Sequence, residues 1–321
     1  MTVTASALPA PRGRTGMPSA DALYREVLRT AAGLVLAIAV VIVVETARGA
    51  TPAIHRFGAG FLTGTEWDPV AEHFGALPYV VGTLMSSLLA LALALPPCLG
   101  AAVYLSEIAS PRLGDVMAFL TELLAAVPSI VFGLWGLFVL APVLRVGVEP
   151  WLTTHLGFLP LFRGFPFGIG MLNAVVVLAM MIAPTLISIS REVLLATPAT
   201  LREAALALGA TRAEAVGVAL SAARPGILGA TILALGRALG ETMAVTMVIG
   251  NSNVLSASLL APGATMSSVI ANEFAEATGK MHASALIEIA LVLFTLTLLV
   301  NALARLLVSW ATAGRSDATQ P

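Results

Sequence analysis

The stretch TLREAALALGATRAEA, Thr200–Ala215, contains two helix-start signals in succession. Thr200 is followed three residues later by Glu203, and Thr211 is followed in the same way by Glu214. In such a capping box the threonine side chain accepts a hydrogen bond from an amide of the first turn, while the glutamate side chain reaches back to the cap. The pattern therefore predicts two short helices.

The first of these two helices has an apolar face. Four small or apolar residues recur along it at helical spacing: Leu201, Ala204, Ala205 and Leu208. Gly209 follows them, and we expect it to close the helix in a left-handed conformation and to reverse the chain. A narrow apolar strip on a helix outside the membrane requires a partner surface, so the segment predicts a docking site.

The composition of the whole chain places this segment in a membrane protein. Of the 321 residues, 58% are hydrophobic and 11% are charged, and the mean hydropathy is +0.94, which together indicate an all-α integral membrane protein. The net charge of −1 argues against a nucleic-acid partner, which would require a basic face. The single cysteine, Cys98, lies in an apolar run and is interpreted as a packing residue.

Six apolar runs are long enough to cross a bilayer, which needs about 20 residues per helix. We place these runs near residues 30–47, 78–105, 115–142, 169–190, 226–249 and 283–308. The first run is too long for the apolar part of a signal peptide, and we expect it to be retained as a helix. The segment with the two capping boxes then lies between the fourth and fifth spans.

The arginines predict the orientation, because short loops rich in positive charge stay in the cytoplasm. With the N-terminus inside, eleven arginines fall on the inner side: Arg12, Arg14, Arg25, Arg29, Arg112, Arg191, Arg202, Arg212, Arg224, Arg305 and Arg315. Five positive residues fall on the outer side: Arg48, Arg56, Arg145, Arg163 and Lys280. Both termini are therefore predicted to be cytoplasmic.

The four histidines all lie in predicted outer loops, at spacings that match no metal-ligand pattern.

The chain is predicted to form a single membrane domain without internal repeats. Residues 1–29 form a cytoplasmic tail, and residues 30–76 form the first membrane helix and an external loop. Residues 77–308 form the core, with the docking helix near 200–209, and residues 309–321 form a second cytoplasmic tail.

Two charges lie inside the predicted fifth span, in the stretch GRALGETMAVT, Gly236–Thr246. A charge at the centre of a bilayer costs about 3 kcal/mol on insertion scales, so two of them need an explanation. Arg237 and Glu241 are four residues apart, which places them on one helical face if the helix is continuous. Gly236 and Gly240 form a step of the kind that lets another helix approach closely. Either the pair is a neutralised contact that fixes helix packing, or the arginine lies on the path of an anion.

The docking segment resembles the signature of ABC importer permeases. Glu203, Ala204, Ala205 and, after three residues, Gly209 match the EAA motif of that family, whose coupling helix docks on an ATPase subunit. This sequence departs from the family at Ser221, where the motif usually ends in a proline, and the intervening stretch is one residue shorter. Three further stretches resemble the phosphate permease branch of PstC type: Val127–Leu144, Gly236–Ser252 and Ser256–Ala277.

The resemblance implies a type I ABC importer permease fold and phosphate as the cargo. It implies a PstA-type permease partner, two PstB-type ATPase subunits and a PstS-type phosphate-binding protein, with membrane lipid around the chain. It also implies Glu203, Ala204, Ala205 and Gly209 as the coupling residues. The sequence has no Gly-Lys-Ser/Thr phosphate loop, and its only lysine is Lys280, so ATP and Mg²⁺ are expected to be used by the ATPase and not by this chain.

For Arg237 and Glu241, two functional hypotheses remain open. A guanidinium offers forked donors to phosphate oxygens, and a carboxylate can accept the protons that phosphate retains at neutral pH. Alternatively, Glu241 holds Arg237 while a gate is closed and releases it when the anion enters. The whole chain also has alternatives: a permease for another oxyanion, or a proton-coupled secondary transporter that uses Glu241 and Glu288. The sequence lacks the usual hydrolase motifs, so it does not suggest a membrane enzyme.

Overall fold

The computed structural model describes residues 18–316, with side chains described from 22 to 309 except at 307. Residues 1–17 and 317–321 of the predicted tails lie outside this range. The first helix, α1 (Pro18–Phe57), already begins within the predicted N-terminal tail. Its part up to Glu45 forms a unit of its own, while the chain from Thr46 onward forms a second compact unit.

The second unit is helical apart from one small hairpin. After α1 come α2 (Gly60–Thr63), β1 (Trp67–Asp68), β2 (His73–Phe74), α3 (Leu77–Val103), α4 (Pro111–Ala125), α5 (Ser129–Trp135), α6 (Ala141–Val143), α7 (Glu149–Leu156), α8 (Met171–Leu195), α9 (Ala199–Ala207), α10 (Arg212–Leu239), α11 (Met243–Val248), α12 (Met266–Glu273) and α13 (Lys280–Ser316). The segments Tyr104–Ile108, Gly136–Leu140 and Leu144–Val148 are π-helical, and Pro160–Phe162 forms a 3₁₀ turn. The two strands pair antiparallel, Trp67 opposite Phe74.

Six helical segments in the described residues are long and apolar enough to span a membrane, as predicted. They are Ala22–Phe57, Leu77–Ile108, Ser129–Leu156, Met171–Leu195, Arg212–Leu239 and Lys280–Leu306. The number of spans and the all-α class are thus confirmed, and the predicted positions of the first, second, fourth and sixth spans overlap those observed. The third and fifth predicted positions overlap the observed segments only in part, because each runs across a helix break.

The third span was expected at 115–142, but the helix breaks in the middle of that run. Helix α4 ends at Ala125, and α5 begins directly after Pro128. Proline has no amide hydrogen to donate, and it moves the residue before it away from helical geometry. The candidate span therefore begins at Ser129 and continues through two π-helical segments to Leu156.

The fifth span was expected at 226–249, but α10 begins much earlier and ends at Leu239. A second, short helix, α11, starts at Met243 after an interruption at 240–242. The residues on both sides of the interruption are apolar, so hydropathy alone reads one continuous run. The break separates the two charged residues that the sequence placed on one face.

The core of the second unit forms where α3, α8 and α10 pack together. Its buried side chains are mainly alanine, valine, leucine and isoleucine, and α8 contributes the largest number of them. Small residues let the backbones approach closely: an added Cβ at Gly82 of α3 would lie 2.0 Å from the carbonyl oxygen of Ala264. Beside it, the Thr83 hydroxyl accepts a hydrogen bond from the amide of Met266 at 3.0 Å. These contacts tie the start of α3 to the start of α12.

The hairpin covers the same end of the bundle with aromatic side chains. The Trp67 ring meets Phe74 and Tyr79 edge-on, at centroid distances of 4.8 and 5.1 Å. Glu273 accepts a hydrogen bond from the Trp67 indole at 2.8 Å and lies 3.0 Å from a ring nitrogen of His282. The loop between the first two candidate spans is therefore an ordered part of the second unit.

Replacing Gly82 with alanine tests the close packing of α3. We expect Gly82→Ala to destabilise the protein by roughly 1–3 kcal/mol, because the methyl group would overlap a backbone oxygen that cannot move independently. Gly100→Ala on the same helix is the matched control, because a Cβ there has no neighbouring atom within 4 Å. Thermal unfolding in detergent measures both, and equal midpoints for the two variants would contradict the packing.

Candidate functional site

Helix α9 carries the residues that the sequence predicts to dock on a partner, but it begins differently from the prediction. The residue that precedes the helix is Pro198, which makes no side-chain cap, and α9 starts at Ala199. Thr200 and Glu203 therefore both lie inside the helix, and the predicted capping box between them is wrong. The fixed φ of proline favours a helix start directly after it, which leaves Thr200 too far into the first turn to act as the cap.

The end of α9 is as predicted. Gly209 has a φ of +88°, the left-handed conformation that favours glycine. The Gly209 amide donates to the Leu206 carbonyl at 3.0 Å, and the Ala210 amide donates to the Ala205 carbonyl at 3.1 Å. This pair of bonds is a Schellman motif, which satisfies the last carbonyls of the helix.

The second capping box is present, but it opens a long helix. The Thr211 side chain accepts from the Glu214 amide at 3.4 Å, and the Glu214 carboxylate accepts from the Thr211 amide at 2.7 Å. The helix that follows is α10, whose 28 residues include Ser221 and Pro225. The prediction of a separate second short helix is thus wrong, and α9 is joined by one tight turn to the helix that carries Arg237.

The outer face of α9 is exposed within this chain. Leu208 is 91% exposed, and Leu201, Glu203 and Ala204 are exposed as well, whereas Ala205 is half-buried. An apolar side chain as exposed as Leu208, beside small alanines, gives a shallow surface suited to docking.

A groove between α10 and α13 contains Arg237. Its volume is about 1170 Å³, and besides apolar residues it is lined by polar groups from three helices: Thr185, Arg237, Asn301, Arg305 and Ser309. Sequence reasoning missed Thr185, Asn301 and Arg305. The signal available was the spacing of Asn301 and Arg305, four residues apart in an otherwise apolar helix, which places them on one face.

Arg237 and Glu241 do not form the ion pair that their spacing suggested. Helix α10 ends between them, and the Arg237 guanidinium, which is exposed, has no hydrogen bond or ion pair to any side chain or carbonyl in the part of the chain that the structure describes. Glu241 instead accepts from the Ala244 amide at 3.2 Å, and its carbonyl accepts from the Ser267 hydroxyl at 2.7 Å. The interpretation that the two charges share one helical face is wrong because the helix does not continue.

The two glycines of the predicted packing step have different surroundings. A Cβ at Gly236 would lie 3.5 Å from the Asn301 side-chain oxygen, so this glycine borders α13. At Gly240 the nearest described atom is the Gly236 carbonyl oxygen, at 3.7 Å, which belongs to the same helix. Only Gly236 therefore lies against a neighbouring helix.

The polar lining of the groove favours an anion. It includes two arginines, and among the described residues that line it there is no aspartate or glutamate. Guanidinium groups remain charged when partly buried and offer paired donors to oxyanions, while amide and hydroxyl groups add neutral donors. The groove is thus a positively charged site at the level of the membrane-spanning helices.

Comparisons with known proteins agree with these features. Residues 99–312 match the family model "Binding-protein-dependent transport system inner membrane component". A Mesorhizobium japonicum protein is 41% identical over 290 residues, which cover 89% of each chain. Proteins of Haemophilus influenzae and Xylella fastidiosa are 42% and 44% identical, each over 294 residues and 90% of this chain, covering 93% and 90% of their own lengths. All three relatives are called "Phosphate transport system permease protein PstC".

Cysteine labelling tests whether water reaches the groove. In a Cys98→Ala background we expect Arg237→Cys and Arg305→Cys to react with a water-soluble thiol reagent in the purified protein. Ala234→Cys, on the same helix as Arg237 but fully buried, is the control and should react at least about tenfold more slowly, because buried thiols are inert. Equal rates at 234 and 237 would contradict an open groove.

Proposed function

Because this chain belongs to the binding-protein-dependent inner membrane components, and among them to the PstC-type phosphate permeases, we propose that it conducts inorganic phosphate across the membrane in an ATP-driven importer. The observation that supports this cargo best is the groove, whose described lining residues include two arginines and no carboxylate, in a chain 41–44% identical to phosphate permeases. The chain is a multi-pass inner membrane subunit and not itself an enzyme.

The partners follow from the family in general terms, because such a permease works with a binding protein and an ATPase. For the finer composition we propose a PstA-type permease subunit, two PstB-type ATPase subunits and a PstS-type phosphate-binding protein. ATP and Mg²⁺ would be held by the ATPase, since this sequence has no phosphate loop of the Gly-Lys-Ser/Thr type.

In this proposal Arg237 contacts the phosphate. Its guanidinium is exposed toward the groove and has no partner among the described residues, so it can donate to an anion without first breaking an ion pair. Arg305 and Asn301 lie on the opposite wall. Arg305 can donate to the phosphate oxygens and balance their negative charge, while the Asn301 side-chain oxygen can accept from the protons that phosphate retains. Glu241 supports this arrangement at the interruption that follows α10, where its side chain accepts from the Ala244 amide of α11.

The ATPase would dock on α9 through Glu203, Ala204, Ala205 and Gly209. The exposed Leu208 extends this surface, and the tight turn at Gly209 and Thr211 connects it to α10. A displacement of α9 therefore reaches the helix that carries Arg237 through only a few residues.

The alternatives left open by the sequence are less favoured. A proton-coupled secondary transporter would not belong to a binding-protein-dependent family and would leave the exposed face of α9 without a purpose. A permease for another oxyanion would use the same two arginines, so the identity of the anion is decided by transport assays and not by the charge of the groove.

Transport by the assembled complex tests the cargo and the role of Arg237. We expect the reconstituted complex to take up phosphate and to hydrolyse ATP faster when phosphate-loaded binding protein is present. Arg237→Gln should reduce uptake about tenfold or more, because a charge-assisted hydrogen bond is worth about 1.5–3 kcal/mol. Arg305→Gln should also reduce phosphate uptake.

Arg224→Gln is the matched control, since Arg224 is an exposed arginine on the same helix and outside the groove. Near-normal uptake by both Arg237→Gln and Glu241→Gln would contradict a pathway role for this pair, and sulfate uptake equal to that of phosphate would contradict the cargo.

Co-purification tests the docking surface. We expect Leu208→Asp to reduce recovery of the ATPase subunit with the permease about tenfold, because a carboxylate in an apolar contact must be desolvated without a partner. Val70→Asp changes an equally apolar and exposed residue in the hairpin segment, and it should leave recovery unchanged. Full recovery with Leu208→Asp would show that the ATPase binds elsewhere.

A further inference from the structure

Arg202, the residue before the EAA motif, has a dense set of contacts that the proposed docking role does not use. Its Nε donates to Glu107 Oε2 at 2.8 Å, and Nη2 donates to the other oxygen of the same carboxylate. Nη1 donates to the Thr197 carbonyl and Nη2 to the Leu194 carbonyl, each at 2.9 Å. One guanidinium thus makes four hydrogen bonds, two of them as a bidentate pair with a carboxylate.

The Leu194 carbonyl lies in the last turn of α8, where backbone carbonyls have no partner within the helix, and the Thr197 carbonyl lies in the turn between α8 and α9. A positive charge at this end also interacts favourably with the helix dipole. Arg202 therefore satisfies the end of α8 and places its charge where the dipole favours it.

Glu107 belongs to a different element, the π-helical turn Tyr104–Ile108 that continues α3. Its side chain is 7% exposed, and that of Arg202 is 21% exposed, so the pair is largely shielded from water. Leu194, whose carbonyl accepts from Arg202, packs in a small apolar cluster with Ala102 of α3 and with Ala223 and Ile227 of α10. The pair thus joins α9 to the ends of α3 and α8, beside a cluster that also includes residues from the middle of α10.

Two comparisons within the chain show that this arrangement is specific. Glu203, the next residue of α9, is exposed on the docking side, so successive charged residues have opposite surroundings. A second arginine–carboxylate pair, Arg191 of α8 with Asp115, is joined by one hydrogen bond of 3.2 Å, and its aspartate side chain is 79% exposed. Exposed pairs of that kind contribute little to stability, whereas a shielded bidentate pair fixes geometry.

We propose that Arg202 and Glu107 are positioning residues that fasten the docking helix α9 to the ends of α3 and α8. When the ATPase displaces α9, the pair makes α3 and α8 move together with it. The turns on either side of α9 then do not bend so that α9 moves alone. This inference rests on the proposed function, because it assigns to the pair the transfer of ATPase motion to the membrane helices.

The number of phosphate ions transported per ATP hydrolysed, measured in the reconstituted complex, tests the proposal. We expect Glu107→Gln and Arg202→Gln each to lower this ratio about tenfold while ATP hydrolysis continues. The double variant should be no worse than either single variant, since both changes break the same contact. Arg202→Lys should be intermediate, because an ammonium lacks the fork that binds both carboxylate oxygens. Asp115→Asn is the matched control and should leave the ratio unchanged.

A second measurement follows the geometry directly and does not depend on the cargo. In the same complex, with Cys98→Ala, spin labels at Ile108→Cys and Leu206→Cys report the distance between the α3 extension and α9. We expect Glu107→Gln to broaden this distance distribution, and Asp115→Asn to leave it as narrow as in the parent.

Each outcome supports or overturns the proposal. Unchanged coupling ratios in both single variants, or an unchanged distance distribution in Glu107→Gln, would overturn it while leaving phosphate transport intact. If the parent complex transports no phosphate, the proposed function fails, and the spin-label distances still decide whether the pair fastens α9. Loss of the whole complex in Glu107→Gln, with Arg202→Lys assembled and fully coupled, would also overturn it.

Discussion

The constraint on which this structure depends is that backbone amides and carbonyls at membrane depth must find partners inside the protein. Where the helices are continuous this condition is met automatically. At 240–242, where α10 stops and α11 begins, side chains meet it instead: Glu241 accepts from the Ala244 amide, and the Ser267 hydroxyl donates to the Glu241 carbonyl. The Glu241 carboxylate, which is unfavourable on a hydropathy scale, thus helps to stabilise the break between α10 and α11.

The same interruption separates the roles of the charged residues. Because Glu241 is engaged with backbone on the α11 side, Arg237 at the end of α10 is left facing a groove that it shares with Arg305. At the end of α8, by contrast, Arg202 donates four hydrogen bonds, to Glu107 and to two backbone carbonyls. Arg237 is available to a ligand, whereas Arg202 has a structural role. Residue type does not distinguish them, and only the contacts do.

Much of this arrangement was accessible from local pattern. The Gly209 turn and the Thr211–Glu214 cap were predicted correctly because they depend on neighbours within a few residues. The Thr200 cap was wrong because Pro198 started the helix earlier. The third and fifth spans were predicted to run across helix breaks, because these breaks fall within apolar sequence, where the hydropathy does not change. Asn301 and Arg305 were missed because α13 meets α10 only in the folded chain.

The sequence by itself determined the class of molecule, the number of spans and the family resemblance, and it singled out the segment that we propose as the docking site, since these follow from composition and from short contiguous motifs. The tertiary structure decided that Arg237 is not paired with Glu241, that it shares a groove with Arg305, and that Arg202 joins α9 to Glu107. The physical reason is that partners in these contacts are separated by as many as 95 residues. The distances between these partners depend on how the helices pack and where they break, and the separation of residues along the sequence does not show this.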